Sequence, residues 1–362
     1  MKVRTASFDD YPQITELESK YGMQTKTREE WEHLWVNNPV YQQLNKTWPI
    51  GWVLEDSAGK ILGYLGNIPI FYELHGKRLL VATSRAWVVD STCRSYSPLL
   101  LDYFFAQTNV DLYLTTNLSN EAFETFQFFE PSAVPVGDWD HSRFWITSYT
   151  SFVASCLRAM DIPLAKPLSY PLALLPLLRD QLGSVTTGLK KERKYVEVQF
   201  CSAFDERFDI FWEDLKAKRA NVLMSTRTGE MLNWHFGHAL LRNKAWMICV
   251  SERSRLLAYS IFYRQDNTRF GLKRVRLLDF QTLANDQLLL LPVLSCALEY
   301  CRGEGIHILE SLGVSPDRAQ VMARLRPYRR NLRSWPAFYK TNNPHLRESL
   351  KNPKCWVDFA LL

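Results

Sequence analysis

The stretch Ala82–Leu101, ATSRAWVVDSTCRSYSPLLL, decides how the chain is read. Its apolar run up to Val89 predicts a strand, and the small and polar residues Ser91 to Ser97 predict a tight loop. Pro98 suits the first turn of a following helix, where its missing N–H is not needed. Strand, tight loop and helix N-terminus together aim loop N–H groups and a helix dipole at one spot, with Arg94 beside it. Such a spot fits a phosphate or pyrophosphate. The same residues also read as an ordinary strand-to-helix crossover with a serine cap.

Working outward, 362 residues exceed one ordinary core and imply two or so domains. The hydrophobic share of 46% and charged share of 23% exclude a disordered chain. An aromatic share of 13%, with 12 Trp, predicts extensive cores. The net charge of +6 favours an anionic ligand only where it is clustered. Seven Cys show no CxxC spacing and read as free thiols in a reducing compartment. His235 and His238 stand three apart without a Cys or carboxylate at ligand spacing, so no metal is expected. Asn45-Lys46-Thr47 and Asn117-Leu118-Ser119 match the glycosylation pattern, but no signal peptide is legible, and a cytoplasmic location is expected. No run reaches the ~18 apolar residues of a membrane span. The nearest, 163–182, carries four prolines and Lys166 and is expected to pack on its own protein rather than lie on a membrane.

The first segment reads as a strand at Lys2–Arg4, then a helix carrying Ile14, Leu17 and Tyr21 on one face, then a helix over 28–36. Strands are predicted at 50–54, 61–72 and 78–90, joined by turns at Asp56–Lys60 and Gly76-Lys77. A helix over 98–107, a strand at 111–116, a helix over 120–129 and a strand-like run through Val136 and Trp139 follow. Residues 151–194 are Pro- and Leu-rich, close on the charged run Lys190–Lys194, and read as a helical connector. The second half repeats the order: strand 195–201, helices 204–218 and 230–236, strands 245–250, 256–263 and 274–280, helix 288–301, strand 306–309, helix 316–325.

This order resembles a tandem member of the GNAT acyl-CoA N-acyltransferase superfamily. The resemblance covers nearly the whole chain as architecture: an α/β (α+β) fold of two GNAT-like domains, each a mixed sheet flanked by helices. The expected divisions are 1–150 with the acyl-CoA site, the connector 151–194, and 195–362 on the acceptor side. Arg94-Ser95-Tyr96-Ser97-Pro98-Leu99 is similar to the family's pyrophosphate loop, Arg/Gln-x-x-Gly-x-Gly/Ala. Arg94 and the small Ser97 agree with it; Leu99 and Pro98 depart from it. Thr115-Thr116-Asn117 and Asn120-Glu121-Ala122 resemble the segment beside the acyl chain and thiol, although the helix offers Phe123, Phe126, Phe128 and Phe129 in place of the family's Tyr. Gln281–Gln287 of the second half lacks Gly and Arg and carries Asp286, which makes it the poorer phosphate loop. Gly229–Phe236 resembles a stretch of tandem proteins associated with bacterial polysaccharide synthesis, and the doubled arrangement is also similar to Fem-type peptidyltransferases.

The resemblance implies transfer of an acyl group, acetyl first, from CoA to an amine of a sugar, peptide or small metabolite. Acetyl-CoA or another acyl-CoA would be held by Val88, Val89, Arg94, Ser95, Tyr96, Ser97, Pro98 and Asn120, with the oxyanion donor near Val88 or Val89. Asp90 is the first choice for the base, with Asn117 as its companion; Asp90 equally suits a cap or turn. His235 is expected to be packed or on the surface, and His75 in a turn. Arg326, Arg329 and Arg330, in the basic run Arg324–Arg333, are expected to meet the acceptor, or else to lie in a solvated loop. A non-catalytic binding protein and a Fem-type transferase using aminoacyl-tRNA are the alternative readings. Nucleic acid other than tRNA is not expected, and the oligomeric state is open.

Overall fold

The computed structural model describes residues 1–116, 118, 120–135, 141–182, 196–283, 287–313, 315–332 and 337–356. Asn117, the run through Val136 and Trp139, Lys190–Lys194, Asp286 and the side chain of Asn120 fall outside the described residues.

Two sheets carry the fold. The first consists of β1 (Lys2–Thr5), β2 (Gly51–Glu55), β3 (Ile61–Leu74), β4 (Lys77–Val89), β5 (Leu112–Thr116), and β6 (Ser132–Ala133). The second is built on β7 (His141–Ile146), β8 (Glu197–Cys201), β10 (Ala245–Glu252), β11 (Arg255–Arg264), β12 (Arg274–Thr282), β13 (Ile308–Leu312) and β14 (Tyr328–Asn331). β9 (Met224–Ser225) and β15 (Ala337–Lys340) return to the first sheet. The strand orders are β1-β2-β3-β4-β5-β15-β6, with β9 beside β3, and β8-β10-β11-β12-β13-β7-β14. The two orders correspond position for position. Each sheet takes its sixth strand from the other half of the chain: β15 completes the first sheet and β7 the second.

The long β3–β4 hairpin is set by its turn. His75 and Gly76 both have positive φ, 52° and 71°, and Leu74 pairs with Lys77. A two-residue loop of that kind matches the twist of the flanking strands and fixes their register. Along β4, Ala86 and Trp87 together oppose Leu65, a β-bulge, and Ala86 takes φ 54°. In each sheet one neighbouring pair is parallel, β4 with β5 and β12 with β13. β4 meets β5 only over Val81–Thr83 and Leu112–Leu114. Beyond Thr83 the two strands part, which opens a cleft in the sheet.

The first core packs Trp31, Trp35, Tyr64, Phe104 and Tyr113 around the first sheet, and draws in Trp234, Phe338 and Trp356 from the second half of the chain. The second sheet is buried on both faces. Leu290–Gly303 covers one through Leu291, Leu294 and Leu298, and Glu206–Lys218 covers the other through Phe208, Phe211 and Trp212. Each such side chain stabilises the fold by about 1.5–3 kcal/mol.

The run expected to pack on its own protein forms helices Ala165–Leu172 and Leu174–Gln181. They bury Ala165, Ser169 and Ala173 while Leu164, Leu175 and Leu178 face outward. Among the described residues no helix is long and apolar enough to cross a membrane.

Candidate active site

A cavity of about 850 Å³ opens where β4 and β5 part. That volume suits a small-molecule ligand. One wall is formed by Thr83–Val89 together with Thr115 and Thr116. Ser84 Oγ donates to Thr115 Oγ1 at 3.0 Å, joining the two strands just past their last ladder pair. Ala122 and Thr125, from the helix Asn120–Gln127, close that side. The helix that lacks the Tyr of the resembled family presents Thr125 there; its Phe123 stacks on Phe338.

The loop expected after β4 is a tighter 3-10 turn, Ser91–Tyr96, and the helix proper starts one residue early, at Ser97. Arg94 and Ser97 line the cavity rim, and so do Val88 and Val89. Ser95, Tyr96 and Pro98 do not line it. The Ser97 N–H donates to the Arg94 carbonyl, and the Ser91 N–H to the Tyr21 hydroxyl at 2.7 Å. Several donors of the loop are therefore engaged within the protein.

Of the two roles expected for Asp90, base or cap, the structure shows the cap. It caps the 3-10 turn, accepting from the Thr92 N–H and hydroxyl, and pairs with Lys20 Nζ at 2.5 Å. The Lys20 ammonium, then the Thr92 donors, hold its carboxyl well below the usual range. Its side chain does not line the cavity.

The opposite wall comes from both halves of the chain. The helix Arg28–Val36 starts with a capping box, Thr27 with Glu30, and presents Glu30, His33 and Leu34. Facing it is a second helical stretch, α-helical over Gly229–Leu232, π-helical over Asn233–Gly237 and α-helical again over His238–Leu241. Single π turns recur at functional sites. Two reciprocal bonds clasp the halves together. His33 Nε2 lies 2.8 Å from the Trp234 carbonyl, and Trp234 Nε1 donates to the His33 carbonyl at 3.0 Å. Arg242 pairs with Glu30 at 3.2 Å.

His235, expected to be packed or on the surface, opens onto this cavity. Its side chain is exposed there, on the surface as expected, and the crowding of the cavity wall lowers its pKa. Lys26 also lines the cavity, its pKa lowered by burial and then by the neighbouring Arg85. Arg85 lies 3.3 Å from Glu18, a buried acid whose pKa burial raises against the pull of Arg85. The lining thus carries Lys26, Arg85, Arg94, Arg242 and Lys244 against one acid, Glu30. Its field favours an anion. The cavity histidines make no metal centre: among the described residues no cluster of His, Cys, Asp and Glu suits a metal ion.

Arg326, Arg329 and Arg330 lie elsewhere. Of the run expected as an acceptor patch or solvated loop, Tyr328–Asn331 form β14 at one edge of the second sheet, and Arg333 lies outside the described residues. Arg330 pairs with the buried Glu310 at 2.6 Å. β14 is four strands from β11, which brings Tyr263 to the cavity, or about 19 Å at ordinary strand spacing. None of the three arginines lines the cavity.

The residues that sequence reasoning missed are Lys26, Glu30, His33, Trp234, His235, His238, Arg242 and Lys244. A usable signal was present. His235, His238 and Arg242 stand at i, i+3 and i+7, one face of a helix.

No family model matches the chain, and no curated protein matches it in sequence. Solved structures do match in shape. N-myristoyltransferase of Saccharomyces cerevisiae, solved with bound myristoyl-CoA, superposes with a TM-score of 0.56 at 13% identity, over 95% of this chain and 81% of that one. A conserved protein of unknown function from Enterococcus faecalis V583 gives 0.56 at 11%, over 93% and 71%. A GCN5-related N-acetyltransferase from Anabaena variabilis gives 0.54 at 13%, over 94% and 73%. The chain therefore shares its fold with these structures, in a form with two sheets.

Proposed function

We propose that the protein is an acyl-CoA-dependent N-acyltransferase. It moves an acyl group, acetyl in the simplest case, from CoA to an amine of a sugar, peptide or small metabolite. The observation that carries this reading is the cationic cavity at the parting of β4 and β5, with Arg94 and Ser97 on its rim. The pyrophosphate would rest against Arg94 and the start of the Ser97–Phe105 helix, where the dipole favours negative charge. The thioester would lie along Ala86–Val89, where the bulge interrupts the ladder and a backbone N–H near Val88 or Val89 would serve as the oxyanion donor. Asn117 and Asn120 remain candidates beside the acyl chain. Asp90 is assigned to hold the turn under the pyrophosphate and not to take a proton. Its carboxylate is engaged by Lys20 and Thr92 and is a weak base.

Calorimetry with CoA, acetyl-CoA and a longer acyl-CoA tests this reading. Arg94→Ala should weaken CoA binding by about 1–3 kcal/mol, the worth of a charge-assisted hydrogen bond. Ser97→Glu should weaken it more, by adding bulk and negative charge at the rim. CoA that fails to bind the parent at millimolar concentration, or binds Ser97→Glu equally well, leaves the non-catalytic binding protein as the better reading. The aminoacyl-tRNA alternative has less support, because Arg330 is already committed to Glu310.

A further inference from the structure

The cavity holds more positive charge than a pyrophosphate at Arg94 would use. Arg85 faces Glu18 and Arg242 faces Glu30. Lys26 and Lys244 have no carboxylate within salt-bridge distance among the described residues, yet both line the cavity. The charged groups around Lys26 are Arg85, Glu30, Glu18 and Lys244, and not Arg94. These two ammonium groups therefore form a second cationic site on the wall shared by the two halves. His235 opens onto the same cavity with no hydrogen-bond partner for either ring nitrogen among the described residues, and Lys26 is among the charges that reach it. Its ring is open to the cavity, so a ligand seated there can reach it.

We propose that the acceptor is an amine that also carries an acid group, phosphate or carboxylate, held by Lys26 and Lys244 while His235 takes the proton from the amine. This rests on the acyl-transfer reading. In the step, the amine nitrogen attacks the thioester carbonyl carbon, the C–N bond forms and the C–S bond breaks. The nitrogen's proton passes to His235 and ends on the CoA sulfur, leaving an amide and free CoA. Crowding in the cavity wall, and then Arg227, His33 and Lys26 against the pull of Asp279, lower the pKa of His235 and leave its ring able to accept a proton.

The test uses the full chain saturated with CoA, so that the pyrophosphate site is filled. Inorganic phosphate and acetate are then titrated in by calorimetry; the ion that binds tells a phosphoryl from a carboxyl acceptor. In Lys26→Ala/Lys244→Ala that affinity should fall about tenfold or more, the scale of a lost charge-assisted bond, with CoA affinity unchanged. Neither ion binding, or the parent and the double variant binding alike, overturns the proposal while CoA binding still stands. CoA failing to bind at all removes the acyl-transfer reading first. Acyl transfer is then compared between glucosamine 6-phosphate and glucosamine, or between an amino acid and its decarboxylated amine. The acidic member should be preferred, and His235→Gln should lower kcat by about 10²–10⁴-fold and remove the lower limb of the pH profile, with ion and CoA binding intact. Equal rates for both members, or no transfer to any with CoA and ion bound, overturns it.

Discussion

Glu310 has no exposed surface and sits among three guanidinium groups, Arg330 at 2.6 Å, Arg276 at 2.9 Å and Arg274 at 3.5 Å. Burial alone would raise its pKa; the arginines outweigh burial and lower it. A carboxyl with a lowered folded pKa stabilises the fold above its unfolded pKa and loses that contribution as pH falls through the folded value. Unfolding free energy should therefore drop from about pH 5 downward, starting near the unfolded glutamate value of ~4.3. Glu310→Gln should flatten that slope and cost about 3–5 kcal/mol, because it leaves buried guanidinium charge without its partner. Denaturant titrations at several pH values check this; parallel slopes for both proteins would rule it out. At Asp90 the expected effect is structural. Asp90→Ala should cost about 0.5–2 kcal/mol, as cap losses do, and leave the pH profile of transfer where it was. The sequence offered both roles for Asp90. It could not show Lys20, which is 70 residues away in the chain. Glu310 likewise meets Arg330 only through the sheet, so the Arg324–Arg333 run read as available charge.

At the scale of elements, hydrophobic spacing carried the reading well. The helices over 28–36 and 206–218, the three-strand meanders and the strand–turn–helix after Val89 stand where their patterns put them. What spacing does not reveal is which side of an element finds a partner. In Leu174–Gln181, leucine spacing predicts a packed face, yet Leu175 is 70% exposed and Leu178 51%. Leu175→Gln and Leu178→Gln should each shift unfolding by no more than about 0.5 kcal/mol, since neither leaves a cavity. A loss of 2 kcal/mol or more in thermal or denaturant unfolding would mean that this face is covered in solution. The stretch 229–241 failed to announce itself for another reason. Beyond Phe236 its cavity-lining residues His238 and Arg242 are polar and extend no apolar stripe, so the helix was read only to Phe236.

At the scale of the whole molecule, the repeat of element order was legible and the exchange of strands was not. β15 is four residues long and pairs Ala337 with Thr116 across the length of the chain, and nothing local in so short a run specifies a partner so distant. The exchange ties the two sheets together. Phe338 and Tyr339 of β15, with Leu350 and Trp356 after it, are buried in the first core at 7%, 3%, 0% and 1% exposure. Phe338 stacks on Phe123 at 5.1 Å, and Trp234 enters the same core from the far side of the cavity. Together the four C-terminal side chains contribute about 6–12 kcal/mol of burial, comparable with the whole 5–15 kcal/mol by which a domain is stable. A fragment of residues 1–150 would also expose the edge of β5 that β15 now covers, a template for aggregation. It should therefore show no cooperative unfolding when made alone, and should regain native circular dichroism and CoA binding only when 151–362 is produced with it. A fragment that unfolds cooperatively by itself, with the same midpoint as the full chain, would mean that β15 adds little and that the first sheet is complete without it.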